Sequence, residues 1–80
     1  MRRDAVDSET IVSIGYEPCV CELELEFRDS GDVYVYFQVS AREHAEFMAA
    51  ESKGNYLNRI FKTKEHPYRV VKRGRNSLRP

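Results

Sequence analysis

The chain contains no tryptophan and only two cysteines and two histidines, and it has no long apolar run. No stretch approaches the roughly 20 apolar residues that a membrane-spanning helix needs, so we expect no membrane contact. The start of the chain lacks the apolar segment of a secretory signal peptide, which favours the cytoplasm. Neither histidine has a partner at metal-ligand spacing, and two cysteines alone cannot complete a four-ligand zinc site. We therefore predict no metal and no cofactor.

Motifs for reaction chemistry are also missing. The sequence has no glycine-rich phosphate loop, no nucleophile elbow and no zinc-binding helix motif. Glu22, Glu24 and Glu26 alternate along a predicted strand. A solvated sheet face explains them better than catalytic carboxylates, which need burial to separate their pKa values. His44 falls on a polar stretch and is interpreted as a surface histidine. We predict that the protein is not an enzyme.

Eighty residues, of which 41% are hydrophobic, suffice for one small core but not for two. Charge is balanced overall, with 13 basic and 13 acidic residues, but it is unevenly distributed. Residues 1–58 carry a net charge of −7, and residues 59–80 carry +7. We predict a single domain over residues 1–70 and a flexible basic tail over residues 71–80. Such asymmetry indicates an interaction segment, although the tail could also lie across its own acidic domain.

Alternating apolar residues predict an antiparallel sheet. Residues 11–16, 19–27 and 33–39 fit strands, and residues 68–71 fit a further edge strand. A three-residue loop at 29–31 would place Phe27 opposite Val33 and Leu23 opposite Phe37, so that the apolar faces coincide. Under this register Tyr34 and Tyr36 lie on the face opposite the core.

The two cysteines lie within the second of these segments. Cys19 and Cys21 would point to the same face as the strand's leucines, and Cys21 is predicted to be a small core residue. Side chains at positions i and i+2 of a strand are too far apart for an easy disulfide. We expect two free thiols.

Helix signals follow the third strand. Ser40 and Glu43 fit a capping box that starts a helix, and Gly54 is predicted to end it in the left-handed conformation. Asn55 would then cap a second helix that runs to about residue 62. The residues predicted to face the sheet are Ala41, Ala45, Met48 and Ala49. The predicted fold is α+β, with a three-stranded antiparallel meander, a possible fourth edge strand and two short α-helices.

The order and spacing of several segments resembles the KTSC domain over about residues 6–70. These segments are Ile14-Gly15-Tyr16, Tyr34-Val35-Tyr36 and residues 52–60. The signature positions carried by this chain are Tyr34, Tyr36, Ser52, Gly54, Tyr56 and Asn58. Leu57 departs from the pattern, since an aromatic residue is usual there, and so does the long basic end. The family occurs at the C-terminus of some lysyl-tRNA synthetases and as stand-alone bacterial and phage proteins, which implies an RNA ligand and no established activity.

Charge, tyrosines and resemblance together predict a non-catalytic module that binds RNA or single-stranded nucleic acid. Tyr34 and Tyr36 would stack unpaired bases, unless they serve only to stabilise the sheet. The side chains predicted to contact phosphates are Arg59, Lys62, Lys64, Arg69, Lys72, Arg73 and Arg75. The alternative is a protein–protein interaction module without a nucleic-acid role, in which the third strand or the edge at residues 68–71 pairs with another chain. Contact between the basic tail and the acidic face of a second copy would instead give a dimer.

Overall fold

A computed structural model describes residues 1–74. Their five strands form one antiparallel sheet in chain order. The strands are β1 (Asp4–Ala5), β2 (Ile11–Glu17), β3 (Glu22–Phe27), β4 (Val33–Tyr36) and β5 (Tyr68–Lys72). Between β4 and β5 lie α1 (Ala41–Ala49), α2 (Lys53–Tyr56), a π-helical turn (Leu57–Phe61) and a 3₁₀ turn (Lys62–Lys64). The α+β prediction is confirmed, and β1 is a strand that the sequence pattern did not reveal.

The hairpin between β3 and β4 has a different register from the one predicted. The N–H of Phe27 donates to the carbonyl of Asp32, and the N–H of Gly31 donates to the carbonyl of Phe27, both at 2.9 Å. The loop therefore has four residues rather than three. Gly31 has a φ of 79°, which a residue without a Cβ adopts readily. The predicted pairing of Phe27 with Val33 is wrong by one residue.

This shift exchanges the two faces of β4. Leu25 lies opposite Tyr34, and Leu23 lies opposite Tyr36, so both tyrosines share the core-facing side of the sheet. Val33 and Val35 occupy the other side, where they pair with Glu26 and Glu24. The prediction that the tyrosines stand on the face away from the core is therefore wrong.

Arg3, next to β1, covers part of this second face. Its guanidinium donates to Ser13 Oγ at 3.0 Å and pairs with the carboxylates of Glu24 and Glu26. The two glutamates are thus held by a cation and are not a fully solvated ladder. Because Arg3 immediately precedes β1 and Ser13 belongs to β2, this contact helps to hold the two strands together.

β3 begins at Glu22, so the cysteines precede the strand. Both lie in an exposed turn, and both are free thiols. Cys21 has a φ of 55°, which takes its side chain out of the strand's alternation. The prediction that Cys21 belongs to the core is wrong. The expectation of two free thiols agrees with the structure.

The predicted start of α1 is confirmed, but of the four residues predicted to face the sheet only Met48 packs against the core. Ser40 Oγ accepts the Glu43 N–H, and the Glu43 carboxylate accepts the Ser40 N–H, each at 3.1 Å. Phe47 is fully buried, with His44 and Met48 half-buried beside it. The three alanines expected to face the sheet, at positions 41, 45 and 49, are exposed. The large aromatic ring sets the inward side of the helix because it buries more apolar area than alanine.

Half-burial also changes the interpretation of His44. Its ring stacks on Tyr16 with the centroids 4.5 Å apart. Burial lowers the pKa of His44, although the nearby Asp4 charge raises it in part. His44 is a packing residue between α1 and the sheet rather than a solvated one.

Gly54 lies inside α2 and does not end α1, which stops at Ala49. A Cβ on Gly54 would lie 2.6 Å from Thr10 Oγ1, so the close approach of two segments requires this glycine. Ser52, rather than Asn55, caps α2, and its hydroxyl accepts the Asn55 N–H at 3.2 Å. Both predictions for these positions are corrected.

The core lies between the sheet and the helical segment. The helical segment contributes Phe47, Tyr56, Leu57 and Phe61, whereas Ile60 is 44% exposed. The sheet and the loop after it contribute Ile11, Ile14, Leu23, Leu25, Tyr36 and Val39.

No helix among residues 1–74 has the length and apolar character needed to cross a bilayer.

The buried side chain of Asp32 binds the two residues that follow β5. Asp32 Oδ1 accepts the N–H of Gly74 at 2.7 Å, and Arg73 lies 3.6 Å from Oδ2. Gly74 is buried, and a Cβ there would lie 2.1 Å from the carbonyl oxygen of Ser30. Of the described residues of the predicted tail, 71 and 72 belong to β5, and Gly74 packs on the hairpin loop. Arg75 lies outside the described residues.

We expect Asp32→Ala to destabilise the fold by about 1–3 kcal/mol, because the buried Gly74 N–H would lose this acceptor. Urea unfolding of the wild type and the variant measures the difference. Asp7→Ala is the matched control, since Asp7 is exposed and its loss should cost no more than about 0.5 kcal/mol. Equal stability of the two variants would contradict the role assigned to Asp32.

Candidate functional site

An open cleft of about 580 Å³ lies between the sheet and the segment that leads into β5. Three tyrosine rings form its aromatic side. Tyr34 stacks on Tyr68 with centroids 5.3 Å apart and planes within 17°, and Tyr36 lies 5.7 Å from Tyr68. The β4–β5 register, which places Tyr36 opposite Tyr68, brings these rings together. Tyr68 is a site residue that sequence analysis missed, because its neighbours are remote in sequence.

The three rings differ in exposure. Tyr36 is 8% exposed and packs edge-on against Phe61, with centroids 5.0 Å apart. Burial, reinforced by the neighbouring Tyr34 and Tyr68, raises the pKa of Tyr36 to about 12. Tyr34 is half-buried, and Tyr68 is 60% exposed. Tyr36 is thus mainly structural, whereas Tyr34 and Tyr68 present ring surface to the cleft.

A carboxylate–histidine pair forms another part of the wall. His66 Nε2 lies 2.7 Å from Glu43 Oε2, and the imidazole stacks on Phe61 with centroids 5.0 Å apart. Partial burial alone would raise the pKa of Glu43. Hydrogen bonds from His66 and from the Ser40 N–H outweigh that effect and hold the pKa of Glu43 below its ordinary value. This pair ties α1 to the segment before β5, and no sequence pattern pointed to it.

The predicted phosphate-binding residues do not form one surface. Lys62 lines the cleft, and Arg59 and Lys64 are exposed on the same helical segment. None of these three cations has an ion-pair partner within residues 1–74. Arg69 and Lys72 instead lie opposite Val35 and Val33, on the face of the sheet away from the tyrosines. Of the seven predicted cations, the structure therefore places Lys62 in the cleft wall, with Arg59 and Lys64 exposed on the same helical segment.

The remaining predicted phosphate-binding residues have different surroundings. The Arg69 guanidinium lies over the ring of Phe37, 6.0 Å from its centroid. Arg73 is engaged by Asp32, as described above. Arg75 is not among the described residues. We assign none of these three, nor Lys72, to the cleft.

The remaining signature residues lie apart from the cleft. Ser52, Gly54 and Asn58 line a separate polar depression of about 330 Å³, shared with the loop before β2. Tyr56 is buried against Phe47, and its hydroxyl lies 3.2 Å from a carboxylate oxygen of Glu46. The cap at Ser52 and the close approach at Gly54 give these residues clear structural functions. Within the described residues, no cluster of three or more metal-ligating side chains is present.

Burial raises the pKa of Tyr36 from its ordinary 10.0 to about 12. We therefore expect the wild type to show a tyrosine that titrates near pH 12, and we expect Tyr36→Phe to lack this titration step. Tyrosinate absorbance during a rapid pH titration measures it. The folded state favours the neutral phenol, so the associated stability is present below pH 10.0 and is lost as the pH rises toward 12. Tyr68→Phe is the control and should keep the late-titrating phenol.

Comparison of the sequence and the fold with known proteins points to one family. The KTSC domain family model matches residues 7–64. A crystal structure of a KTSC domain protein from Yersinia pestis has a TM-score of 0.82 at 39% identity, covering 89% of this chain and 97% of that chain. An uncharacterized protein from Stutzerimonas stutzeri is 35% identical over 68 residues, which is 85% of this chain and 94% of the relative. A protein from Tsukamurella paurometabola is 37% identical over 57 residues, which is 71% of this chain and 84% of the relative.

Proposed function

This chain belongs to the KTSC domain family, and we propose that it binds unpaired bases of RNA or single-stranded nucleic acid in the tyrosine cleft, without catalysis. The observation that carries the proposal is the stacked pair Tyr34–Tyr68, which remains open to solvent beside Lys62. Bases stack on such rings with about 1–3 kcal/mol per base, whatever their sequence. The proposed binding would take place in the cytoplasm of a bacterial or phage-infected cell.

The exposed cations of the helical segment support one orientation for a bound single strand of nucleic acid. Arg59, Lys62 and Lys64 follow one helical segment beside the cleft, where they can contact the phosphates that flank a stacked base. Three such contacts correspond to a log-affinity slope against log salt of about −2 for a single strand. This slope is shallow because the cations on the other face of the sheet do not contribute.

An interaction with another protein is a second candidate, favoured by the free edge of β5. Among the described residues no strand pairs with the outer side of β5, and Tyr68 and Val71 are 60% and 44% exposed there. An extended segment of a partner, or a second copy, could add to this edge. Affinity capture before and after nuclease treatment distinguishes the two functions, since partners held by nucleic acid would disappear.

We expect Tyr68→Ala to weaken binding of a mixed-sequence single-stranded RNA by about 5- to 100-fold, because one stacking surface is lost. The double variant Lys62→Gln/Lys64→Gln should reduce the salt slope by about 1.4. Fluorescence anisotropy with a labelled heptanucleotide, starting at low salt, measures both effects.

The control for charge is Arg2→Gln/Arg42→Gln, which removes two exposed cations that do not line the cleft. It should leave the affinity within about twofold of the wild type. Circular dichroism of each variant checks that the fold persists. Absence of binding by the wild type at 50 mM salt, or full affinity in Tyr68→Ala, would contradict the proposal.

A further inference from the structure

The cleft wall includes acidic residues besides its tyrosines. The carboxylates of Asp29 and Glu65 line it, and the imidazole of His66 lies next to Glu65 in the chain. Lys62 is the single cationic side chain among the described lining residues. Carboxylates repel phosphate, so the backbone of a bound strand is expected to stay outside. The Glu65 carboxylate can accept hydrogen bonds from the N–H groups of a base, so the base can occupy this part of the cleft.

The Glu43 contact determines what His66 offers to a ligand. An ionised carboxylate can only accept, so Nε2 carries the hydrogen that is donated to Glu43. In the neutral ring the other nitrogen, Nδ1, then has a free lone pair. No hydrogen-bond partner of Nδ1 is found within residues 1–74, and it is not among buried polar atoms left without a partner. Nδ1 is therefore open to solvent as a further acceptor.

Glu65 has an unfavourable backbone conformation for its residue type. It ends the 3₁₀ turn in the left-handed region, with φ 53° and ψ 45°. Glycine and asparagine adopt this conformation more readily, and glutamate gains no side-chain partner within residues 1–74 that would compensate. A strained residue that lines a cleft suggests a role in ligand recognition.

We propose that the cleft selects a base with N–H donors along its Watson–Crick edge, guanine above the others, and that Glu65 and His66 determine this specificity. This inference rests on the proposed function. Guanine presents N1–H and the N2 amino group side by side, which a carboxylate can accept together. Adenine presents an unprotonated N1 in the same position, and its lone pair would face the carboxylate.

The test uses three heptauridines with a central guanosine, inosine or adenosine, measured by fluorescence anisotropy. We expect guanosine to bind about tenfold more tightly than adenosine. Inosine should lie between them, because it keeps N1–H but lacks the N2 amino group. Equal affinity for guanosine and adenosine would overturn the proposed specificity while leaving base stacking intact. Failure of every heptamer to bind would overturn the proposed function as well.

Glu65→Gln isolates the carboxylate. An amide accepts from adenine N6 and donates to adenine N1, so the guanosine-to-adenosine preference should fall to about one or reverse. Removal of a negative charge raises affinity for every RNA, so the ratio of affinities is the informative quantity. Glu9→Gln, an equal change at an exposed residue outside the cleft, should keep the wild-type ratio. An unchanged ratio in Glu65→Gln would refute the assignment.

Glu65→Asn adds a measurement that does not depend on RNA. Asparagine tolerates the left-handed conformation, so Tm should rise by about 2–5 °C while the guanosine preference is lost. A lower Tm would show that the glutamate side chain supports the fold, and the argument from strain would then fail.

Discussion

The four-residue loop between β3 and β4 is the constraint on which the cleft depends. Gly31 adopts a positive φ within this loop, which begins one residue earlier, at Arg28, than the predicted three-residue turn. The side chains of β4 therefore alternate with the tyrosines toward the core. The same loop exposes the backbone against which Gly74 packs, and it buries Asp32 where it can hold the end of β5. The register of β4 against β3 and the position of the end of β5 thus both depend on this one loop.

Separation of charge between the faces of the sheet follows from this register. Glu24 and Glu26 share a face with Val35 and Val33 and are paired with Arg3, so they do not crowd the tyrosines. On the tyrosine side, the cations come from the helical segment, and the acidic groups come from the hairpin loop and from Glu65. The cleft consequently combines aromatic surface with carboxylates and with Lys62, and the proposed binding of a base rests on this combination.

Most signature positions of the family serve the fold, and Tyr34 is the one that also takes part in the proposed base stacking. Ser52 caps a helix, Gly54 permits a close approach and Tyr56 fills the core, so folding requirements account for these three signature residues. The residues that give the cleft its polar character, Glu65 and His66, lie outside the signature. A family defined by such structural residues can keep one fold while the wall of the cleft varies.

The sequence by itself determined the features that depend on local patterns. The Ser40–Glu43 capping box, the strand periodicity over residues 11–16 and 68–71, the α+β class and the family resemblance all needed only neighbours along the chain. The tertiary structure decided the face of β4, the inward side of α1 at Phe47, and the meeting of Glu43 with His66 across 23 positions. The reason is physical: period-two alternation fixes which residues share a face but not which face is buried. One additional loop residue reverses that choice, and contacts between distant side chains exist only once the register is set.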